Sequence, residues 1–208
     1  MKITYLGQSG FMLKENSSTL LIDPSKKKNG EISGDIAYVT HNHFDHTRGV
    51  EPFLKHNPEA VLICNEQVAD QFKKWQERII LVNFGDEIQR DGWNFKFIEG
   101  RHGLFSGVQN TGVIVQTSNL NFGHVGDSVD FKGFSQEKID YFAIPISGIF
   151  AASPKKALKE LEKFKHPLPT IVTMHWLWRN PRVFCKRLKA KFPDSRCIVP
   201  VEGVIVNL

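Results

Sequence analysis

The chain has 208 residues, 41% hydrophobic and 24% charged, with a formal net charge of +5 and an isoelectric point near 9.1. That composition suits a soluble protein with a sizeable core and argues against a membrane-spanning one, since no apolar run approaches the roughly 20 residues of a bilayer span. Cys64, Cys185 and Cys197 are odd in number and lack CxxC spacing, so neither a disulfide framework nor a cysteine zinc site is expected. The N-terminus opens on strand-like alternation rather than a signal peptide, and the expected location is the cytoplasm.

In chain order, apolar and β-favouring runs predict strands over 2–7, 10–14, 19–23, 36–40, 60–64, 79–82, 93–98, 112–117, 120–125, 140–146, 170–175, 196–201 and 204–208. Helices are predicted over 46–56, 66–76, 154–165 and 181–191. Hairpins interrupted by helices imply an α/β (α+β) protein of two packed mixed sheets with helices outside. A loose internal repeat points the same way. Gly10-Phe11-Met12-Leu13 leads through a turn to Asp23, and Gly112-Val113-Ile114-Val115 leads similarly to Asp127. Asp35 and Asp140 then precede apolar strands, and helices ending in Leu54-Lys55-His56 and Phe164-Lys165-His166 follow. The repeat implies one domain, 1–208, built from halves of about 1–100 and 101–208.

Residues 41–46 read His-Asn-His-Phe-Asp-His directly after the predicted strand 36–40. Imidazole nitrogens and a carboxylate crowded on a strand-end loop are the donor types of zinc, and they also suit manganese and iron. There are too many donors for one ion. His41 and His43, two apart, would project to one side and leave Asp45 and His46 for a second ion.

The pattern His-x-His-x-Asp-His after an apolar strand resembles the metallo-β-lactamase superfamily of binuclear metallohydrolases. The likeness extends over nearly the whole chain, through Lys2–Phe11, Leu21-Ile22-Asp23-Pro24, Arg101-His102-Gly103, Val125-Gly126-Asp127-Ser128 and Thr173-Met174-His175-Trp176. It is most similar to small hydrolases of the ascorbate-6-phosphate lactonase type. The resemblance implies a four-layer αββα sandwich with two divalent ions, zinc first and manganese or iron as alternatives. It assigns His41, His43 and His102 to the first ion, Asp45, His46 and His175 to the second, and Asp127 to both. Asp45 and Asp127 would be the catalytic carboxylates, around a metal-bridging hydroxide that attacks a small ester, lactone or phosphoester. The segment at His102 departs from the Gly-His-Thr pattern of better-known members. The glycine-containing stretch after it reads as a flap over the substrate or as a plain hairpin loop.

The remaining candidates border that site. Asp23 reads as a residue that fixes the tautomer of a ligating histidine, or as a turn-forming Asp-Pro. His56 and His166 fall at helix C-termini, where a cation meets the helix dipole favourably. His124 is three residues from Asp127 on a strand, so alternation turns it to the opposite face, and it is read as structural. Trp176, Trp178 and Arg179 follow His175 and suit an organic substrate bearing phosphate or carboxylate, or simply pack the loop. Ser147 and Gly148 end another strand and offer backbone N–H groups to an oxyanion, or only a turn. Between Lys155 and Lys191 lie eleven lysines and arginines against only Glu160 and Glu162. That excess raises the alternative of a nuclease or a noncatalytic nucleic-acid-binding module, although a solvated helix face is the preferred reading. Self-association is left open.

Overall fold

The computed structural model describes residues 1–103, 107–165 and 167–206. Part of the stretch read as a flap or a plain hairpin loop (104–106), His166 and the end of the last predicted strand (207–208) lie outside the described residues. The first sheet has the order β1 (Lys2–Gly7), β2 (Gly10–Glu15), β3 (Ser18–Ile22), β4 (Ile36–Val39), β5 (Val61–Cys64) and β6 (Ile79–Leu81). β1 to β3 form an antiparallel meander, and β3 to β6 run parallel. The second sheet comprises β7 (Glu87–Arg90), β8 (Trp93–Arg101), β9 (Gln109–Gln116), β10 (Asn121–His124), β11 (Tyr141–Pro145), β12 (Thr170–Met174) and β13 (Cys197–Ile198). Its first four strands are antiparallel neighbours and its last four parallel ones.

Side-chain alternation explains the layering. Leu20, Ile22, Ile36 and Tyr38 face the second sheet in the main apolar cluster, while Leu21, Ala37 and Val39 point the other way. The sheets meet through ring pairs such as Phe11–Phe122 and Tyr38–Phe97, with centroids 5.3 and 5.5 Å apart. The outward face of the first sheet is covered by α2 (Val50–His56) and α3 (Glu66–Ala69), through Val50, Phe53, Leu54 and Val68. α4 (Pro154–Leu161) and α5 (Pro181–Lys191) pack on the second sheet through Ala157, Leu161, Phe184 and Leu188. The result is the expected four-layer αββα sandwich.

Several elements differ from expectation. The helix expected over 46–56 is split into α1 (Phe44–Thr47) and α2. At the break, Gly49 N donates to Pro24 O at 2.6 Å, and a Cβ on Gly49 would lie 2.5 Å from that oxygen. β7 escaped prediction because it is an edge strand with one partner and no buried residue. The strand expected over 196–201 shrinks to β13 before Pro200, and 204–206 makes only an isolated bridge from Ile205 to Thr4. The expectation of no disulfide is corrected: Cys185 and Cys197 are bonded, with Cα atoms 5.5 Å apart. Phe184 and Leu188 press α5 onto the sheet, and Cys185 between them meets Cys197 of β13, a helix-to-strand pairing that CxxC spacing does not anticipate. Cys64 is free and buried, and burial pushes its thiol up to about 12.

The two sheets repeat one hydrogen-bond pattern. Thr19 N donates to Asp35 Oδ2 at 2.8 Å and Asp35 N to Thr19 O at 2.9 Å. In the second sheet Asn121 N and Asp140 exchange the same pair at 2.8 and 2.9 Å. This register pairs Gly10 with Gly112 but matches Asp23 to Val125, two residues before Asp127. The equivalence of Asp23 and Asp127 inferred from the repeat is therefore out by two. The chain passes between sheets after Leu81, earlier than a junction near residue 100, because β8 pairs with β9 and β7 with β8.

Candidate metal centre

Four candidate donors come from one short stretch. β4 is buried on both faces, and the chain leaves it through Thr40 and His41, also buried. His43 caps α1 in an extended conformation, and its carbonyl accepts from His46 N at 2.9 Å and Thr47 N at 3.1 Å. That turn leaves His41 Nε2 3.1 Å from His43 Nδ1 and carries Asp45 and His46 onward.

Fully buried Asp23 lies behind this loop. Its Oδ1 accepts from Thr40 N at 2.8 Å, while Oδ2 accepts from Thr40 Oγ1 at 2.8 Å and lies 2.7 Å from His46 Nδ1. The Thr40 hydroxyl gives its proton to Asp23, so its oxygen is left to accept from His41 Nδ1 at 3.0 Å. One carboxylate thus places a proton on the δ nitrogen of both His41 and His46 and turns their ε nitrogens to the centre.

The second sheet brings the other three. His102, beyond the end of β8, bridges to Ser128, and Val129 N donates to Arg101 O at 2.8 Å, so the loop carrying Asp127 is tied to this strand end. Gly126 has φ +60, and a Cβ there would lie 2.2 Å from Asn110 Oδ1 and 3.0 Å from Thr40 Oγ1. Only glycine lets the strand ends of the two sheets come this close. Asp127 N donates to Asn110 Oδ1 at 2.9 Å. His175 leaves β12 with φ +44 and donates its N–H to Gln8 O at 2.8 Å.

Gln8 is a member of this constellation that sequence reasoning passed over. Its Nε2 donates to Asp45 Oδ2 at 2.9 Å and lies 3.0 Å from His175 Nε2. No sequence signal marked it, because its φ of +56, at a hairpin tip where Gly, Asn or Asp is the usual choice, shows only in the folded chain.

The donor atoms of His41, His43, His102 and Asp127 lie within 4.8 Å of one another, as do those of Asp45, His46 and His175. Asp127 reaches both groups, with Oδ1 3.6 Å from His46 Nε2 and Oδ2 3.3 Å from His175 Nε2. Burial pushes His41 and His43 below the usual imidazole range and His102 down to about 4. Burial also opposes charge on Asp45 and Asp127, but His175 and His46 outweigh it and hold both carboxyls well below the usual range. At His46 the carboxylates of Asp23 and Asp127 likewise overcome burial and raise the imidazole.

These residues fit a metal ion. His46 Nε2 and Asp127 Oδ1 are buried without a hydrogen-bond partner, an arrangement that costs about 1–3 kcal/mol per atom when nothing else compensates. The positive charge favoured on His46 is one that a cation on Nε2 supplies in place of the proton. Nitrogen plus carboxylate oxygen is a zinc-type donor set.

A pocket of about 370 Å³ opens onto the groups, lined by His43, Phe44, Asp45, Asp127 and Phe150. A larger hollow of about 720 Å³ also touches His102 and includes Arg101, Asp130 and Lys132. The smaller one holds donors from both groups and is the one relevant to chemistry there. Ser147, Gly148, Trp176, Trp178 and Arg179 are not among its lining residues. Trp176 packs on Tyr5 with ring centroids 5.6 Å apart, and Trp178 is 70% exposed. Arg179 Nε donates to Ser147 O at 3.3 Å, Ser147 is buried, and Gly148 turns with φ +85. His124 belongs to neither group: its Nε2 donates to Ser9 O at 2.9 Å, and its Nδ1 accepts from Gly126 N at 3.2 Å. His56 ends α2 and is a member of neither group.

Known proteins share these features. A family profile described as the beta-lactamase superfamily domain matches residues 2–175. A UPF0173 metal-dependent hydrolase of Nanoarchaeum equitans is 30% identical over 219 residues, covering 100% of this chain and 97% of the relative. The solved structure of Igni18, a metallo hydrolase of Ignicoccus hospitalis, has a TM-score of 0.84 at 20% identity and covers 99% of this chain and 97% of its own. YhfI of Bacillus subtilis, a metallo-beta-lactamase fold protein, gives 0.81 at 14% identity with 99% of each chain covered. At such identities the two structures speak to the fold alone.

Proposed function

We propose that this chain, which belongs to the metallo-β-lactamase superfamily and is a metal-dependent hydrolase, uses two ions to cleave a small ester, lactone or phosphoester. The observation that carries this reading is the convergence of seven donors into two groups joined by Asp127. His41, His43, His102 and Asp127 would hold one ion, and Asp45, His46 and His175 the other, zinc first by donor type and manganese or iron next. When bound, such ions supply Lewis acidity and hydroxide at neutral pH.

The chain's own residues do the rest. Asp23 keeps the ε nitrogens of His41 and His46 available. Asp45, whose side chain is 48% exposed at the pocket, takes a proton from the attacking water on Oδ1, the oxygen that Gln8 does not hold, and passes it to the departing oxygen. Phe44 and Phe150 form apolar walls around the scissile group.

A small-molecule substrate is preferred to nucleic acid because part of the basic excess is already paired. Lys156 and Lys163 meet Glu160 at 2.7 and 2.5 Å, and Lys191 meets Glu162. No helix among the described residues is long and apolar enough to cross a membrane. A cytoplasmic location belongs to the same proposal, and the Cys185–Cys197 bond is what challenges it, since a reducing compartment disfavours disulfides.

The test is elemental analysis of untagged protein, paired with hydrolysis of p-nitrophenyl acetate, a γ-lactone and bis-p-nitrophenyl phosphate before and after chelation. Close to two ions per chain, with activity lost on chelation and regained on reconstitution, is expected. No bound ion even after reconstitution overturns the reading.

A further inference from the structure

Asp45 needs something to hold it. It lies on a four-residue helix with its side chain 48% exposed, and its recorded polar neighbours are Gln8 Nε2 at 2.9 Å, His175 Nε2 at 3.2 Å and His46 Nε2 at 3.9 Å. The two ring nitrogens are themselves donors of the second group. A lone pair given to an ion leaves no proton on that nitrogen to hold a carboxylate. An amide N–H does not ligate cations, so the contact from Gln8 is the one that ion binding leaves intact.

Gln8 is itself fixed. Its carbonyl accepts from Tyr5 Oη at 2.8 Å and from His175 N at 2.8 Å, and its backbone is held at φ +56. Unfavourable backbone angles that the surroundings enforce concentrate at functional sites. The hairpin tip therefore grips the backbone of His175, from the second sheet, and the carboxylate of Asp45, from the first.

We propose that Gln8 is a positioning residue of the second ion's group, setting the Asp45 carboxylate against His175 through its side-chain N–H. This rests on the two-ion reading. Gln8 acts through Asp45 and touches neither substrate nor the reacting atoms.

The test compares wild type, Gln8→Met and Gln8→Glu by Zn²⁺ titration against a chromophoric chelator, resolving the two binding steps. Gln8→Met keeps the length of the side chain and removes the donor. It should weaken the second step roughly 10–100-fold, the usual cost of losing a partner that orients a ligand, and leave the first unchanged. Gln8→Glu should bind the second ion no better than Gln8→Met. A second step within twofold of wild type in Gln8→Met, equal weakening of both steps, or tighter binding in Gln8→Glu overturns the proposal. The last result would make residue 8 a direct ligand. Thermal unfolding without added metal, on Gln8→Met, Asp45→Asn and the double variant, tests the contact independently of any ion. Coupled effects support it and additive ones overturn it. Fewer than two ions on wild type would instead overturn the two-ion reading and leave the melting cycle to judge Gln8.

Discussion

Asp23 shows how much one buried carboxylate can decide. Two histidines depend on it, one directly and one through Thr40, so Asp23→Asn should lower metal affinity about 10–100-fold although Asp23 is not itself a proposed ligand. Competition with a chelator measures this directly. His43→Ala and Asp127→Ala should lose ion content and most hydrolytic activity, whereas His56→Ala, at the end of α2, should keep both. Unchanged ion content in the first two variants would sink the ligand scheme. The pH dependence follows from His102, which burial pushes down to about 4, below the ordinary imidazole value of 6.5. Between those values the unfolded chain binds the extra proton, so His102's contribution is complete above pH 6.5 and is lost as pH falls towards 4. Ion affinity should fall at lower pH, as the folded chain's His102 takes up its proton near 4, because a protonated imidazole cannot ligate. At this scale the cluster from His41 to His46 was legible because its members are neighbours in sequence. Gln8 was not, since only the folded chain brings it to Asp45 from 37 residues away. The sequence leaves Asp23 open between a tautomer-fixing residue for one histidine and a turn-forming Asp-Pro, and its hold on two histidines is visible only with the Thr40 hydroxyl in place.

Among the elements, strands whose apolar faces are buried announced themselves, and edges did not. β7 carries Ile88 as its one apolar residue and needs no more, having only β8 beside it. Cys185 and Cys197 illustrate a different limit, because a helix laid across an edge strand leaves no spacing rule to read. Closing a loop of this length stabilises by about 3 kcal/mol. Cys185→Ser should therefore lower the melting temperature by roughly 6–12 °C under non-reducing conditions, and reductant should do the same to wild type. Equal melting of wild type with and without reductant would speak against the bond. The cap of α4 offers a smaller test. Ser153 Oγ accepts from Lys156 N at 3.2 Å, and Ser153→Ala should cost about 1 kcal/mol.

Across the whole molecule, the proposed ligands come from loops following strands of both sheets. An ion there binds the docked sheets and not the separated ones, so chelation should lower the melting temperature and added Zn²⁺ should raise it with concentration, by mass action. Melting independent of ion concentration would detach the ions from the fold. The main division into two sheets was legible from the hairpin and helix pattern, but the placing of β7 and β8 was not, because pairing across 8 to 22 residues leaves no local trace.

Each sheet is also built from one uninterrupted stretch of chain, the first complete by Leu81 and the second starting only at Glu87. During synthesis the first sheet can therefore form while Phe11, Leu20, Ile22 and Tyr38 still lack the layer that will cover them. At ~5–20 residues per second that apolar face stays open for on the order of ten seconds, which makes the half-made chain a natural client for a chaperone.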